Sequence, residues 1–383
     1  MTDLAHDHRL HSDTLLRLAD LSLTEQGARR LHATLNDRRH ELDWAWLVHQ
    51  GARHQVLPLI GFNVKRFRLH QPVDGDADLV PYRWLLTSAL EGNRQRNEAL
   101  RAEFARILTA ARDLGVAHAV RKGPLLCEHL YPDPATRRMS DLDLLVSKEG
   151  AEALGEALGE LGYVQGRLSG DGTSVEAFSR STRKFWSMYV SNALPFVKPA
   201  SHPYVEVFAL DLCLDLTPAA GDGAAERTAE FLSRTVPVVT CGVPSRRLAP
   251  EDELLDLCVH LHKEADARHY IALGQDLALS KFIDVACTVA RSTPDVQERF
   301  AARVAELGVR ESVFFALYYA RELYPALVPV ELVDSVRPSD SRVLDEYGYL
   351  DGRPSAWRST FRERLFSSGR SSEANDARSL PLT

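Results

Sequence analysis

The strongest constraint on the fold is a change of period at Val116. From about residue 14 to 114 the chain is helical in pattern. It is plainest in RNEALRAEFARILTAARDLG, where Leu100, Phe104, Ile107, Leu108, Ala111 and Leu114 form a docking face and Gly115 stands at the C-cap position. After Val116 the pattern alternates. VAHAV reads as a strand, KG as a turn, and PLLCEHLY as a helix with Pro124 at its first position, stopped by Tyr131-Pro132-Asp133-Pro134. SDLDLLV reads as a second strand. KEGAEALGEALGELGY follows as a helix with Ala151, Leu154, Leu158 and Leu161 on one face and Gly162 as its terminator. YVEVFALDLCL, at 204–214, supplies a further strand with Glu206 in its middle.

These elements predict an α+β core with a small mixed sheet of three or more strands. Beyond Pro250 the helical pattern returns in EDELLDLCVHLHKEA, LALSKFIDVACTVAR and SVFFALYYARELYP. The expected layout is a helical region at 1–114, an α+β core at 115–248, a helical domain at 249–366 and a polar tail at 367–383.

Bulk properties narrow the function. A formal charge of −7 over 383 residues gives no general attraction for a phosphate backbone, so small or peptidic substrates fit better than nucleic acid. The start, MTDLAHDHRLHSD, lacks the basic-then-apolar layout of a signal peptide, and no apolar run approaches the roughly 18 residues of a membrane span. A cytoplasmic chain is the expectation. Cys127, Cys213, Cys241, Cys258 and Cys287 are scattered without a CxxC pair, and read as reduced packing residues.

The chemistry concentrates in MSDLDLLV. On a strand, residues two apart share a face, so Asp141 and Asp143 are expected to project together while Leu142 and Leu144 turn away. Like charges held that close repel, and burial adds to the cost, so the pair calls for a cation or a basic cluster. Hard oxygen ligands suit Mg²⁺. DxD by itself also fits a solvated strand edge, and the surroundings favour the site. Lys122-Gly123 lies between a strand and a helix start, where glycine permits close backbone approach and free N–H groups favour an anion. Glu206 offers a third carboxylate from another strand.

The run RKGPLLCEHLYPDPATRRMSDLDLLVSKEGAEALGEALGELGY resembles the uncharacterised nucleotidyltransferase family, a branch of the DNA polymerase β-like superfamily. The shared pattern is a Lys-Gly before a helix, a Tyr-Pro, an Arg, D-x-D-L-L-V, a helix and a Gly-Tyr. LDWAWLVHQGARHQVLPLIGFNVKRF, LCVHLHKEA and LSKFIDVA are similar to its flanking helical segments.

The resemblance implies a polymerase β-like core. It makes Asp141 and Asp143 metal ligands and Glu206 the third acidic residue, together holding two Mg²⁺ ions that act on the α-phosphate of an NTP. It sets Lys122 and Gly123 where the superfamily has a phosphate-binding turn. Where relatives read Val-Glu-Leu-His-Trp this chain reads VEVFAL, so a substrate contact made by the His-Trp must differ. Residues 164–203 match no known part of the family.

Other residues carry alternatives. One of Arg137 and Arg138 is a candidate for the triphosphate or for neutralising the aspartates, the other for a surface charge. Ser140 caps or hydrogen-bonds near the metals. Arg180, Arg183 and Lys184 with Phe185 and Trp186 make either a charged, stacking grip on a nucleotide or a solvated turn beside a core aromatic. His260 and His262, two apart on a helix, point roughly 200° apart and do not converge on one metal. Asp284 reaches the cleft or caps a neighbour.

The expected activity is Mg²⁺-dependent transfer of an NMP from an NTP to a hydroxyl or other nucleophile of a small molecule or peptide. Its rivals are transfer to a macromolecule, tRNA or protein, and a non-catalytic nucleotide-binding module.

Overall fold

A computed structural model describes residues 2–73, 77–182, 193–217, 223–348, 354–367 and 374. Along the chain run helices α1 (Thr2–Leu18), α2 (Glu25–Asp37), α3 (Trp44–Arg53), α4 (Leu57–Arg66) and α5 (Arg83–Asp113). Strand β1 (His118–Arg121), α6 (Gly123–His129), β2 (Leu142–Val146) and α7 (Lys148–Glu160) follow. Next come β3 (Val164–Leu168), β4 (Val175–Ala177), β5 (Phe196–His202), β6 (Val205–Cys213), α8 (Ala224–Ser233), β7 (Val236–Thr240) and β8 (Val243–Arg247). The larger helices of the remainder are α9 (Pro250–Asp266), α10 (Arg268–Ala272), α11 (Leu279–Arg291), α12 (Pro294–Glu306), α13 (Arg310–Leu323), α14 (Val330–Ser335) and α15 (Phe361–Phe366).

By its contacts the chain divides into two units. The first comprises residues 1–91, 257–291 and 308–383, the second 92–256 and 292–307. The first is helical. Its core gathers Leu15, Leu18, Leu31, Leu35, Leu59, Phe282 and Phe314, all fully or almost fully buried. Tyr319 of α13 stacks on Phe361 of α15 at 3.7 Å between ring centres.

The second unit is built on one mixed sheet in the order β4-β3-β5-β6-β2-β1-β8-β7. The expected small sheet is an eight-stranded one among the described residues. Its extra strands lie where polar spacing hid them. β3, β4 and β5 fall in the stretch 164–203, and β7 and β8 form a hairpin at VPVVTCGVPSRR. In that hairpin Cys241 and Gly242 have φ of +50° and +74°, the paired left-handed conformation that matches strand twist.

Within the sheet β1 and β2 are antiparallel, while β2 runs parallel to β6 and β1 to β8. Alternation divides the side chains. Leu142, Leu144 and Val146 join Leu210 and Leu212 on one face, under Leu100, Phe104, Ile107, Leu108 and Ala111 of α5 and Leu154 and Leu158 of α7. Each such fully buried side chain contributes about 2 kcal/mol of burial free energy. Leu114, expected on that face, is exposed because it follows the last residue of α5. On the other face Ala119, Leu145 and Cys213 pack with Leu216, Phe231 and Leu248.

Candidate active site

One transverse row crosses the three central strands. Arg121 of β1 is in register with Asp143 of β2, and Asp143 with Asp211 of β6. Residues in register on neighbouring strands share a face, so the row continues the face of Ala119, Leu145 and Cys213. Charge thus replaces apolar packing toward the strand end. Asp143 is buried and Asp211 half-buried.

The charges are compensated on the spot. The Lys122 amine lies 3.3 Å from Asp143 Oδ1, and Arg121 Nη1 lies 4.0 Å from the same oxygen. Arg121 itself is held in a fork by Asp256, with Nε 3.0 Å from Oδ2 and Nη2 on Oδ1. Burial opposes its charge. Asp256, Cys213 and Asp143 outweigh that and raise its pKa, so it stays cationic.

Lys122 carries a conformational cost. It is the N-cap of α6 with φ +46° and ψ −113°, a region that side-chain-bearing residues rarely adopt. The turn's left-handed residue is therefore the lysine. Gly123 has an ordinary helical φ, and Pro124 is the second residue of α6. The glycine serves a close approach: a Cβ there would stand 3.2 Å from the Asp141 carbonyl oxygen. With seven residues α6 is a short dipole, which leaves the Lys122 amine as the strong cation beside Asp143.

The two aspartates of DxD are placed differently. β2 begins at Leu142, so Asp143 is a strand residue and Asp141 lies just before the strand, half-buried. Ser140 and Arg138 are exposed and Arg137 is half-buried. Arg96, from α5, donates to the carbonyls of Met139 (3.1 Å) and Tyr204 (2.8 Å). Burial and the neighbouring Arg138 lower its pKa, while Glu206 and Asp141 pull it back up.

Glu206 is exposed. It lies five positions before Asp211, near the start of β6 where the pairing with β5 shifts register, and within the field of Arg96. Asp211 went unread in the sequence. Its signal was the repetition of one pattern: Asp143-Leu-Leu-Val and Asp211-Leu-Cys-Leu each set a carboxylate before a buried apolar run.

Other candidates fall elsewhere. Arg180 is exposed, and Arg183, Lys184, Phe185 and Trp186 lie outside the described residues, as does the expected polar tail apart from Ser367 and Ala374. His260, His262 and Asp284 belong to the first unit. His260 Nε2 is 2.9 Å from Glu264 Oε1. His262 is half-buried, with Nδ1 2.9 Å from Ser312 Oγ. None of the five cysteines forms a disulfide, and four of them are buried.

Among the described residues no three His, Cys, Asp or Glu side chains are gathered so as to hold a metal by themselves. The donor set nevertheless suits Mg²⁺, which takes one or two protein carboxylates and completes its shell with phosphate oxygens and water. Asp143 and Asp211 provide two carboxylates side by side. No helix among the described residues is long and apolar enough to cross a membrane.

A mixed sheet with a lysine-bearing turn, an aspartate row and a DxD segment is what the second unit presents. The chain belongs to the uncharacterised nucleotidyltransferase family, whose model matches residues 40–325. No curated protein and no solved structure matched the chain.

Proposed function

We propose that the second unit is a polymerase β-like catalytic core that transfers an NMP from an NTP, with Mg²⁺, to a hydroxyl or other nucleophile of a small molecule or peptide. The observation that carries this reading is the row Arg121, Asp143, Asp211 with the Lys122 amine upon it. Asp143 and Asp211 would hold the ion, with Asp141 completing the carboxylate set. When bound, Mg²⁺ supplies Lewis-acid stabilisation of charge on the α-phosphate and the departing pyrophosphate.

The remaining work belongs to the chain's own residues. Lys122 is the mobile counter-charge: its amine balances Asp143 and, on a flexible stem, is free to move onto triphosphate oxygens as a point charge. Arg121 is the fixed one. Locked by Asp256, it holds its positive charge against Asp143 beneath the substrate. Arg138, exposed beside the DxD segment, is placed to meet further phosphate oxygens. Glu206, exposed near the start of β6 and outside its pairing with β2, takes no ligand role in this reading and is left to the acceptor side.

Calorimetry and thermal shift with each NTP, with and without Mg²⁺, test it directly. Metal-dependent binding of at least one NTP is expected, followed by release of pyrophosphate when an acceptor is supplied. Absence of metal-dependent binding in both measurements would sink the reading.

A further inference from the structure

The segment from Pro134 to Asp141 that delivers DxD is irregular: one 3₁₀ turn, Pro134–Thr136, then no regular structure until Leu142. Ala135, Thr136 and Met139 within it are buried. A buried irregular backbone must find partners for its polar groups outside itself. Here they come from one short stretch of α5, GNRQRN at residues 92–97.

Asn93 Nδ2 donates to the carbonyls of Ala135 (2.6 Å) and Arg137 (3.2 Å). Asn97 Nδ2 donates to those of Pro134 (2.7 Å) and Arg137 (2.8 Å), and its Oδ1 accepts from the Met139 N–H at 3.4 Å. Arg96 takes the Met139 carbonyl through Nε and ties it to Tyr204, beside β6, through Nη1. Arg94 grips the Asp133 carboxylate at 2.9 and 2.7 Å, and Asp133 in turn accepts from the Ala135 N–H.

Both asparagines are buried, Asn97 to 1% exposure. An amide there is costly unless each hydrogen bond is made. Unlike Glu103, the buried carboxylate of the same helix that takes Lys198 of β5, these asparagines turn to the irregular segment and not to a strand.

We propose that Asn93, Arg96 and Asn97 are positioning residues that set the path of residues 134–141 and so fix where Asp141 stands at the end of β2 that carries Asp143. The proposal rests on the metal-binding reading of those carboxylates. Arg96 gives it a sign that separates position from charge. Arg96 is a cation within the field of Asp141. If its influence were electrostatic alone, removing it would tighten binding of a divalent cation. If it positions, removing it loosens binding.

The test is Mn²⁺ affinity, read by electron paramagnetic resonance on the full chain without nucleotide, for wild type, Arg96→Ala, Arg96→Lys and Asn97→Ala. Thermal melts and hydrogen exchange at the Met139 amide run in parallel. Arg96→Ala is expected to weaken Mn²⁺ binding about tenfold, the size typical of losing a group that orients a metal ligand. Arg96→Lys, which keeps the charge but not the two-carbonyl fork, is expected to recover only part. Asn97→Ala is expected to weaken Mn²⁺ binding likewise and to speed exchange at Met139. Should Asn97→Ala fail to fold, the half-buried Arg96 variants carry the test.

Unchanged or tighter Mn²⁺ binding in a folded Arg96→Ala would overturn the proposal. Wild type that binds no Mn²⁺ would overturn it together with the metal reading, and that case is recognised because the parent itself fails.

Discussion

At the residue scale, strand register sets which carboxylates stand side by side. Asp143 and Asp211 stand in register, whereas Glu206 lies outside the stretch of β6 that pairs with β2. On the proposed metal-binding reading, Asp211→Asn is expected to cut NMP transfer on the order of a hundredfold or more, since a metal ligand supplies several kcal/mol of transition-state stabilisation. Glu206→Gln should retain metal-dependent NTP binding. Steady-state pyrophosphate release and calorimetry compare the two. Lys122 stores strain at φ +46°. Lys122→Gly and Lys122→Ala both lose the amine, but only glycine takes that backbone freely. Denaturant unfolding should find the glycine variant about 1 kcal/mol the more stable. Asp143 and Lys122 were legible in the sequence because DxD and a Lys-Gly turn are local patterns. Asp211 was not, because register between strands some seventy residues apart leaves no local mark.

At the element scale, helices were the readable part. α5 and α7 follow their apolar periodicity, with Gly115 and Gly162 in left-handed conformation at their ends as expected. The strands of 164–203 and the β7–β8 hairpin were missed, since half-exposed strands such as VQGRL and VEA carry little apolar alternation. Helix α9 adds a testable pH dependence. His262, packed on Phe315 and Ser312, is held neutral by burial, with its pKa pushed down to about 4 from 6.5. Between those values the unfolded chain binds a proton that the native chain refuses. Stability is thus full above about pH 6.5, declines as pH falls, and has lost its whole share near pH 4. Between pH 7 and pH 5 the loss is about 2 kcal/mol. Urea unfolding at the two pH values should show this drop in wild type, and His262→Gln should lack that part of it.

At the scale of the whole molecule, the sheet-bearing unit takes in a helix from far along the chain. Residues 292–307 pack with 92–256, although the segments flanking them belong to the first unit. The tie is ionic and aromatic. Arg303 of α12 reaches Asp252 at 3.1 Å and Glu230 at 2.6 Å, and its guanidinium lies over the Phe231 ring at 5.3 Å. Asp252 is fully buried and also takes Arg234 at 2.8 Å. Arg303→Ala would leave that carboxylate under-compensated and is expected to cost about 3 kcal/mol, read as a lowered unfolding midpoint. The sequence by itself determined the helical regions, the strand-helix-strand segment around DxD and the family, because these are written in local periodicity and contiguous motifs. Tertiary structure alone decided the partner of Asp143, the place of Glu206 outside the β2–β6 pairing, the amide clamp from α5 on residues 134–141, and the docking of α12. Each depends on strand register or on contacts between distant residues, and the local order of amino acids does not encode which distant backbone a side chain will meet.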